Sequence, residues 1–306
     1  MSTLIIDHRD VSLVYEEHCL IIRQPQQAPR SVPLQGLERI LCLHNLQLDT
    51  RLLGHCQRLG IDFIVLNSRH SELSFAVHAN HLHQAQRRSS QYRLSCIPEQ
   101  ALHLVRLLVS AKLGQGLVML RREDAGTEQQ QALLSLACQR AQLRHATSAD
   151  SLRGMEGAAQ QALFAYWRQC LPAHLGFQRR QRRPPPDPVN ALLSLTYTLV
   201  YHEAIRQCLA HGLDPWLGLY HCPMHNRQSM ACDLMEPLRP AVELWVVERF
   251  RQGDFDNRHF SRQDAACLFG KAGRERFYPL WYQQQGLWAA KLARYAAWLA
   301  RHLNQP

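Results

Sequence analysis

The chain has very few lysines. Only three occur among its 306 residues, so 35 − 3 = 32 of its basic residues are arginines, against 25 acidic residues. The formal net charge of +10 favours a polyanionic partner such as a nucleic acid. Arginine also presents a planar fork of N–H donors that binds phosphate with two hydrogen bonds. A GC-rich genome favours arginine codons as well, so the arginine excess alone does not establish phosphate binding.

Paired cysteines and long apolar runs are also missing. The ten cysteines include no CxxC pair, which argues against zinc ribbons and zinc fingers. Scattered cysteines, with no apolar core of signal-peptide length in the first residues, predict a reduced, cytoplasmic protein. No run of 18 apolar residues occurs, so we predict that the chain does not span a membrane.

The first 80 or so residues predict a small β-rich domain. Short apolar runs alternate there with polar turns, and one helical stretch ends at Gly60. We expect the strand after this helix to pair with the next one as a hairpin. The predicted strands are 3–6, 11–15, 19–22, 40–43, 62–66 and 73–78, and the predicted helix is 49–59.

Beyond residue 80, strand signals give way to Leu-, Ala- and Arg-rich stretches of helical period. The polar segment 81–92 is the best candidate for a linker. We therefore predict an α+β protein with a β-rich domain at 1–82 and a larger all-α helical domain at 83–306. The predicted helices are 98–121, 127–145, 150–170, 188–211, 233–251, 261–270 and 283–303.

The helix predicted at 188–211 has clear end signals. Asp187 can cap it, Pro188 stands at its first position, and Gly212 can end it in a left-handed conformation. Its body is apolar on most sides, which is typical of a buried central helix, and Asn190 is expected to form buried hydrogen bonds. The preceding segment 178–187 (QRRQRRPPPD) is a surface loop that either contacts phosphate or is only a solvated connector.

Three segments of the second half carry side chains suited to a hard metal ion. They are LRGMEG (152–157), GLDPWLGLYH (212–221) and CDLMEPLRP (232–240). Carboxylates and an imidazole can hold Mg²⁺ or Mn²⁺ with coordination positions left open, which phosphodiester chemistry requires. The candidate residues are Glu156, His221, Glu236 and Asp233.

Each candidate also has an ordinary structural interpretation. Glu156 is a plausible solvated helix residue, although Gly154 and Gly157 beside it permit close approach of another backbone or a ligand. His221 is a plausible structural histidine. Asp233 and Glu236 have the spacing of a capping box, with Asp233 at the N-cap. A zinc site built from His221, Cys222, His225 and Cys232 has irregular spacing and is disfavoured.

Together the segments resemble the CRISPR-associated spacer-acquisition integrase, the metal-dependent endonuclease subunit of the CRISPR adaptation complex. The strings that carry the resemblance are LRGMEG, DPVNALLSLTYTLVYHEAI (187–205), GLDPWLGLYH and ACDLMEPLRP (231–240), in the family's order. The resemblance implies an N-terminal β-rich domain and a C-terminal helical domain. It also implies that Glu156, His221 and Glu236 bind the metal, with Asp233 as a supporting acidic residue. The basic positions Arg153, Arg227 and Arg239 are expected to contact DNA.

The activity implied is insertion of captured DNA fragments into a CRISPR array. A 3′-hydroxyl end of double-stranded DNA would attack a phosphodiester at the end of CRISPR repeat DNA, with Mg²⁺ or Mn²⁺ as cofactor. The alternatives are a structure-selective, metal-dependent nuclease that cuts branched DNA without integration, and a basic scaffold with an inactive site. The resemblance also implies a homodimer that assembles with a small CRISPR adaptation partner protein and, in some relatives, a reverse transcriptase.

Overall fold

Two four-stranded sheets form the first of two compact units, Met1–Leu82. The computed structural model describes residues 2–67, 73–78, 85–123, 126–222, 224–225 and 227–303. One sheet has the order β1-β5-β7-β8 and the other β4-β3-β2-β6. The elements of this unit are β1 (Ser2–Ile6), β2 (Val11–Glu16), β3 (Cys19–Arg23), β4 (Arg30–Pro33), β5 (Leu37–Cys42), β6 (Leu46–Leu48), α1 (Thr50–Leu59), β7 (Asp62–Val65) and β8 (Phe75–Val77).

The apolar alternation of these strands builds one core. Buried residues alternate with more exposed ones in β2 (Val11 and Leu13) and in β3 (Leu20 and Ile22). In β7, all four residues are buried. Leu13, Leu20 and Phe63 belong to the same buried cluster. The predicted helix is present, because Asp49 accepts a hydrogen bond from the Arg51 amide at 2.9 Å and Gly60 takes a φ of 75°. The predicted hairpin is also confirmed, as β7 and β8 pair antiparallel.

The second unit, His83–Pro306, is mainly helical. α3 packs against α4, α5 and α8, and α6 packs against α7, α8 and α9. Short 3₁₀ turns extend several helix ends, including Glu236–Leu238 between α7 and α8. The elements are α2 (Ala85–Cys96), α3 (Pro98–Leu120), α4 (Thr127–Gln142), α5 (Ala149–Cys170), α6 (Pro188–Ala210), α7 (Ser229–Met235), α8 (Arg239–Arg251), β9 (Phe260–Gln263), β10 (Ala266–Phe269) and α9 (Lys271–Leu303).

The central helix α6 follows the sequence prediction closely. The Asp187 carboxylate accepts the Asn190 amide at 2.8 Å, and Gly212 has a φ of 69°. The Asn190 side chain is fully buried and accepts hydrogen bonds from Arg180 and from the Gln181 amide. These bonds anchor the basic loop at 178–187 to the start of the helix.

Several predicted elements of the second unit are wrong. The segment 261–270 is the antiparallel hairpin of β9 and β10, so the domain is not purely helical. The predicted linker 81–92 contains the start of α2, while residues 81–84 lie outside the described part of the chain. α9 begins at Lys271, twelve residues before the predicted start, and it includes Pro279. The predicted helix at 233–251 is α7, a 3₁₀ turn and α8 in succession.

Among the described helices, only Glu99–Leu120 is long and apolar enough to cross a membrane. It makes up nearly all of α3. Core helices of ordinary proteins can be equally long and apolar, and α3 packs against three other helices and carries the buried Lys112. We therefore interpret α3 as a core helix.

Candidate active site

Three separate elements bring the predicted metal-binding carboxylates to one lysine. Glu156 lies on α5, and Glu236 begins the 3₁₀ turn after α7. The Lys112 ammonium, on α3, donates hydrogen bonds to Glu156 Oε1 and to Glu236 Oε2, the latter at 2.8 Å. The side chain of Glu236 is 3% exposed and that of Glu156 is 18% exposed. The two carboxylates, 80 residues apart in sequence, are therefore neighbours in space.

His221 joins this group from the loop that connects α6 to α7. Its Nε2 lies 3.6 Å from Glu236 Oε1, and its Nδ1 lies 2.6 Å from Asp233 Oδ1. A hydrogen bond to a carboxylate at Nδ1 places the proton there and leaves the Nε2 lone pair directed into the site. The structure thus brings together all four residues predicted from the sequence.

Asp233 shapes the loop that carries His221. Its carboxylate accepts the backbone N–H groups of Leu219 at 2.6 Å, Tyr220 at 2.9 Å and His221 at 2.9 Å. The capping-box interpretation is wrong, because α7 begins at Ser229 and Asp233 lies inside it, 1% exposed. This carboxylate therefore binds the loop at 219–221 rather than the end of its own helix.

The close approach of this carboxylate requires a glycine in the loop. A Cβ atom at Gly218 would lie 2.9 Å from Asp233 Oδ2 and 2.7 Å from the His221 carbonyl oxygen. Both distances are too short for a real Cβ atom. The glycine in GLDPWLGLYH thus allows the backbone to fold tightly around Asp233.

Tyr220 connects this loop to Glu156. Its hydroxyl donates to Glu156 Oε2 at 2.6 Å, while its carbonyl oxygen accepts from Arg153 at 2.9 Å. Burial, with the charge of Glu156 nearby, raises the pKa of Tyr220, so the hydroxyl remains a donor at neutral pH. The Arg153 guanidinium also lies over the Tyr220 ring and pairs with Asp150. Arg153 therefore holds the loop against α5.

Arg239 is buried beside Glu236 and is not an exposed surface arginine. Its Nε donates to Glu236 Oε1 at 2.6 Å, and its guanidinium lies 5.0 Å from the centre of the Tyr197 ring. Burial works to raise the pKa of Glu236, but the charges of Arg239 and Lys112 outweigh it and lower the pKa below its usual value. Glu236 is therefore ionised at neutral pH.

Behind Arg239 lies a second, polar layer. The Tyr197 hydroxyl donates to Glu243 Oε1 at 2.5 Å, and the Gln160 amide donates to the same carboxylate at 3.0 and 3.1 Å. Burial raises the pKa of Glu243 and that of Tyr197. These hydrogen bonds fix the ring of Tyr197, over which the Arg239 guanidinium lies.

The third predicted DNA-binding residue, Arg227, lies in the loop between His221 and α7. Its guanidinium donates to the Cys222 carbonyl oxygen, which closes the loop on itself. Pro223 and Asn226 of this loop lie outside the described residues. The contacts of Arg153, Arg227 and Arg239 are thus within the chain.

The donor atoms fit a hard divalent cation in kind. Carboxylate oxygens of Glu156 and Glu236 share the Lys112 ammonium, and the imidazole Nε2 of His221 lies 3.6 Å from Glu236 Oε1. Within the described ranges, no group of three or more His, Cys, Asp or Glu side chains is spaced to hold an ion. The disfavoured zinc cluster of His221, Cys222, His225 and Cys232 is therefore not such a group. A metal on Glu156 and Glu236 accordingly requires Lys112 to move.

Sequence reasoning missed Lys112 and Tyr220. Lys112 belongs to no motif, but a lone charge in a long apolar helix is a signal, because buried lysine is rare unless it is paired. Tyr220 directly precedes the candidate histidine, and buried tyrosine hydroxyls usually have a hydrogen-bond partner.

The same residues fall inside a known family. The family model described as CRISPR associated protein Cas1 matches residues 4–283. The chain belongs to the Cas1 family. The resemblance found from the sequence motifs is thereby confirmed.

Relatives and solved structures agree with this assignment. The chain is 32% identical to the CRISPR-associated endonuclease Cas1 1 of Thermodesulfovibrio yellowstonii, with 97% of this chain and 96% of that protein covered. A Cas1 protein from Thermotoga maritima has a TM-score of 0.88 at 18% identity, covering 99% of this chain and 97% of that one. A casposase bound to integration product has a TM-score of 0.82 at 16% identity, covering 100% and 92%.

A larger assembly contains the same fold. The Cas6-RT-Cas1–Cas2 complex includes a chain with a TM-score of 0.83 at 21% identity, in which 99% of this chain matches 35% of that one. At such identities the solved structures show that the Cas1 fold is shared.

Proposed function

We propose that this Cas1 protein is a metal-dependent DNA endonuclease and integrase that inserts captured DNA fragments into a CRISPR array. The observation that carries the proposal is the convergence of Glu156, Glu236 and His221 Nε2, with Asp233 holding the other ring nitrogen. Family membership and the relatives' name as endonucleases support it. The likeness to a casposase bound to integration product supports the integrase half.

Each carboxylate has one oxygen held by Lys112 and the other held by a second donor. Tyr220 holds Glu156 Oε2, and Arg239 holds Glu236 Oε1. Glu156 and Glu236, together with His221, would hold Mg²⁺ or Mn²⁺ if Lys112 moved away. When bound, such an ion polarises the scissile phosphate and stabilises the charge of the transition state.

The rest of the chemistry belongs to the protein side chains. Asp233 fixes the ring of His221, so that Nε2 either binds the ion or exchanges a proton with the attacking or leaving oxygen. The attacking group is the 3′-hydroxyl of the DNA fragment in integration and a water molecule in cleavage. Because one phosphodiester replaces another in integration, that reaction needs neither ATP nor a covalent protein intermediate.

A joining assay tests the proposal. Wild-type protein with Mg²⁺ or Mn²⁺ should join a fragment with a 3′-hydroxyl end to CRISPR repeat DNA and should not join a 3′-blocked fragment. Glu156→Ala should abolish joining while leaving DNA binding nearly unchanged, since phosphate contacts and metal chemistry are separable. Cleavage of branched DNA without any joining would favour the alternative, a structure-selective nuclease.

The proposed partners follow from the same assignment. We propose a cytoplasmic homodimer in which the β-rich unit at 1–82 contributes to dimerisation and DNA contact, and which binds a small CRISPR adaptation partner protein. The Cas6-RT-Cas1–Cas2 complex, which contains a structurally similar chain, supports Cas2 and a reverse transcriptase (RT) as partners of these kinds. Co-purification of this chain with the product of each neighbouring gene tests them one at a time.

A further inference from the structure

Lys112 is an unusual residue for its surroundings. It is one of three lysines in the chain, and it lies on α3 between the buried Val109 and Leu113. Its side chain is only 6% exposed. Removing an ammonium from water is unfavourable unless nearby charges compensate for it. The compensation comes from Glu156 and Glu236, which lie on two other elements.

The ammonium occupies a specific position between these carboxylates. The outer oxygen of each carboxylate has its own donor, the Tyr220 hydroxyl for Glu156 and the Arg239 guanidinium for Glu236. The inner oxygens, Glu156 Oε1 and Glu236 Oε2, both accept from Lys112. A divalent ion held by Glu156 and Glu236 would therefore compete with the Lys112 ammonium for these carboxylates.

We propose that Lys112 is a resident counter-ion that occupies the cation position of the site, and that a divalent metal ion binds Glu156 and Glu236 only by displacing it. This inference rests on the proposed metal-dependent function. The lysine holds the two carboxylates together in the metal-free protein, where their like charges would otherwise repel each other. It also weakens metal binding, because the metal must break two buried ion pairs.

The charges around the site indicate when a divalent ion can displace Lys112. Lys112 and Arg239 together balance Glu156 and Glu236, so a dication added to these four side chains leaves two positive charges uncompensated. Phosphate groups of bound DNA supply negative charge and can accept the displaced ammonium. Metal binding and DNA binding should therefore strengthen each other, and the coupling should depend on Lys112.

The test measures Mn²⁺ binding to the full-length chain at pH 8, without DNA, by electron paramagnetic resonance of the free ion. We compare the wild type with Lys112→Met, which keeps an unbranched side chain one atom shorter than lysine and removes its charge. Lys291→Met is the matched control, because Lys291 is a partly buried lysine on another helix whose charged neighbours are arginines. Lys112→Met should bind Mn²⁺ on the order of tenfold more tightly than the wild type. Lys291→Met should bind it as the wild type does.

Thermal melting gives a second readout. Metal-free Lys112→Met should melt at a lower temperature than the wild type, and Mn²⁺ should raise its melting temperature by more than it raises that of the wild type. Lys112→Arg, which keeps the charge, should not gain metal affinity. If Lys112→Met is unfolded without metal, Lys112→Gln replaces it in both measurements, because an amide can donate to both carboxylates without carrying charge.

The outcomes separate this inference from the function on which it rests. Equal or weaker Mn²⁺ binding by folded Lys112→Met, with clear binding by the wild type, overturns the counter-ion role and leaves the metal-dependent function intact. Binding by Lys112→Met but not by the wild type supports the inference. Binding by neither protein, with or without DNA, overturns both.

Discussion

At the scale of single residues, Asp233 determines where His221 lies. One buried carboxylate accepts three backbone N–H groups and faces the ring nitrogen Nδ1. The resemblance implies a supporting role for Asp233. Its contacts show how it can support the site, because they hold the backbone and the ring of His221. Asparagine could replace aspartate at a helix N-cap. It cannot replace Asp233 equally well, because four donor groups surround this carboxylate.

We expect Asp233→Asn to lower the free energy of unfolding by about 3 kcal/mol, because the amide turns one acceptor into a donor that faces backbone N–H groups. Joining activity should also fall steeply, since the ring of His221 loses its fixed orientation. Denaturant unfolding and the joining assay measure the two effects. Asp150→Asn is the control: the side chain of Asp150 is 89% exposed, so its stability should be nearly unchanged. Wild-type stability in Asp233→Asn would mean that the loop is held by other contacts.

Tyr220→Phe is expected to act on Glu156 alone. The variant removes the hydroxyl that donates to Glu156 Oε2 and keeps the ring that packs beneath Arg153. We expect joining to need a roughly 10-fold higher Mn²⁺ concentration for half-maximal rate, as is usual when a residue that orients a ligand is lost. Stability should change by about 1 kcal/mol or less. A metal titration of the joining rate measures the first quantity, and an unchanged midpoint would remove Tyr220 from the site.

The sequence supplied the four candidate residues but not their relations. Glu156, His221, Asp233 and Glu236 were found because they are metal-compatible side chains in three segments that resemble the motifs of the family. Lys112 could not be placed in the same way, because its pairing depends on how α3 packs against α5 and the turn after α7. The mistaken capping box has a similar cause: the spacing of Asp233 and Glu236 does not show where the helix begins.

At the scale of elements, the predictions failed where tertiary contacts decide the local structure. The segment 260–269 forms a hairpin because Asp264 adopts a φ of 53° at its turn and Phe260 packs against Phe269 across the strands, with ring centres 4.9 Å apart. The hairpin is fixed further by the Cys267 amide, which donates to the Pro185 carbonyl oxygen at 2.7 Å. Strong local signals, such as Asp187 and Gly212 at the ends of α6, were interpreted correctly.

The helix α5 contains two glycines close to Glu156. A Cβ atom at Gly154 or at Gly157 would meet no described atom within 4 Å, so no neighbouring backbone of the described chain explains them. Both glycines are exposed, and they stand on either side of the partly buried Glu156 in the sequence of the helix. The remaining interpretation from the sequence is that they leave room for a ligand.

We expect Gly154→Ala and Gly157→Ala each to raise the free energy of unfolding by about 0.8–1 kcal/mol, because alanine is the better helix former. If the glycines make room for DNA, the same variants should join DNA more slowly despite their higher stability. Gly286→Ala on α9 is the control, since it also meets open space and should gain stability with unchanged activity. Full activity in both α5 variants would show that the glycines are dispensable for DNA approach.

At the scale of the whole molecule, the change of sequence character near residue 80 coincides with a division of the structure at Leu82 and His83. Two physical patterns carry that information. Alternating apolar residues form the sheets of the first unit, and helical periodicity forms most of the second. The order of strands within each sheet was not predictable, because it depends on pairings between segments that are distant in sequence.

The net charge of +10 is also a property of the whole molecule, and it leads to the last prediction. Some arginines are occupied within the protein: Arg239 pairs with Glu236, and Arg180 binds Asn190. In the loop at 178–187 the other arginines, Arg179, Arg182 and Arg183, are exposed, and the anchoring of the loop to Asn190 holds their backbone in place. Such fixed, exposed charges are suited to phosphate contacts.

Affinity for duplex DNA should therefore fall by about tenfold or more between 50 and 200 mM salt, because bound phosphates release counter-ions. Binding titrations at several salt concentrations give the slope, which should be similar for unrelated sequences. Arg182→Gln and Arg183→Gln should each reduce that slope by about one if the loop contacts phosphate. Arg258→Gln is the control, since this exposed arginine is already paired with Asp256. A flat salt response in the wild type would mean that the arginine excess reflects codon usage, and unchanged slopes in the loop variants would make the loop a connector.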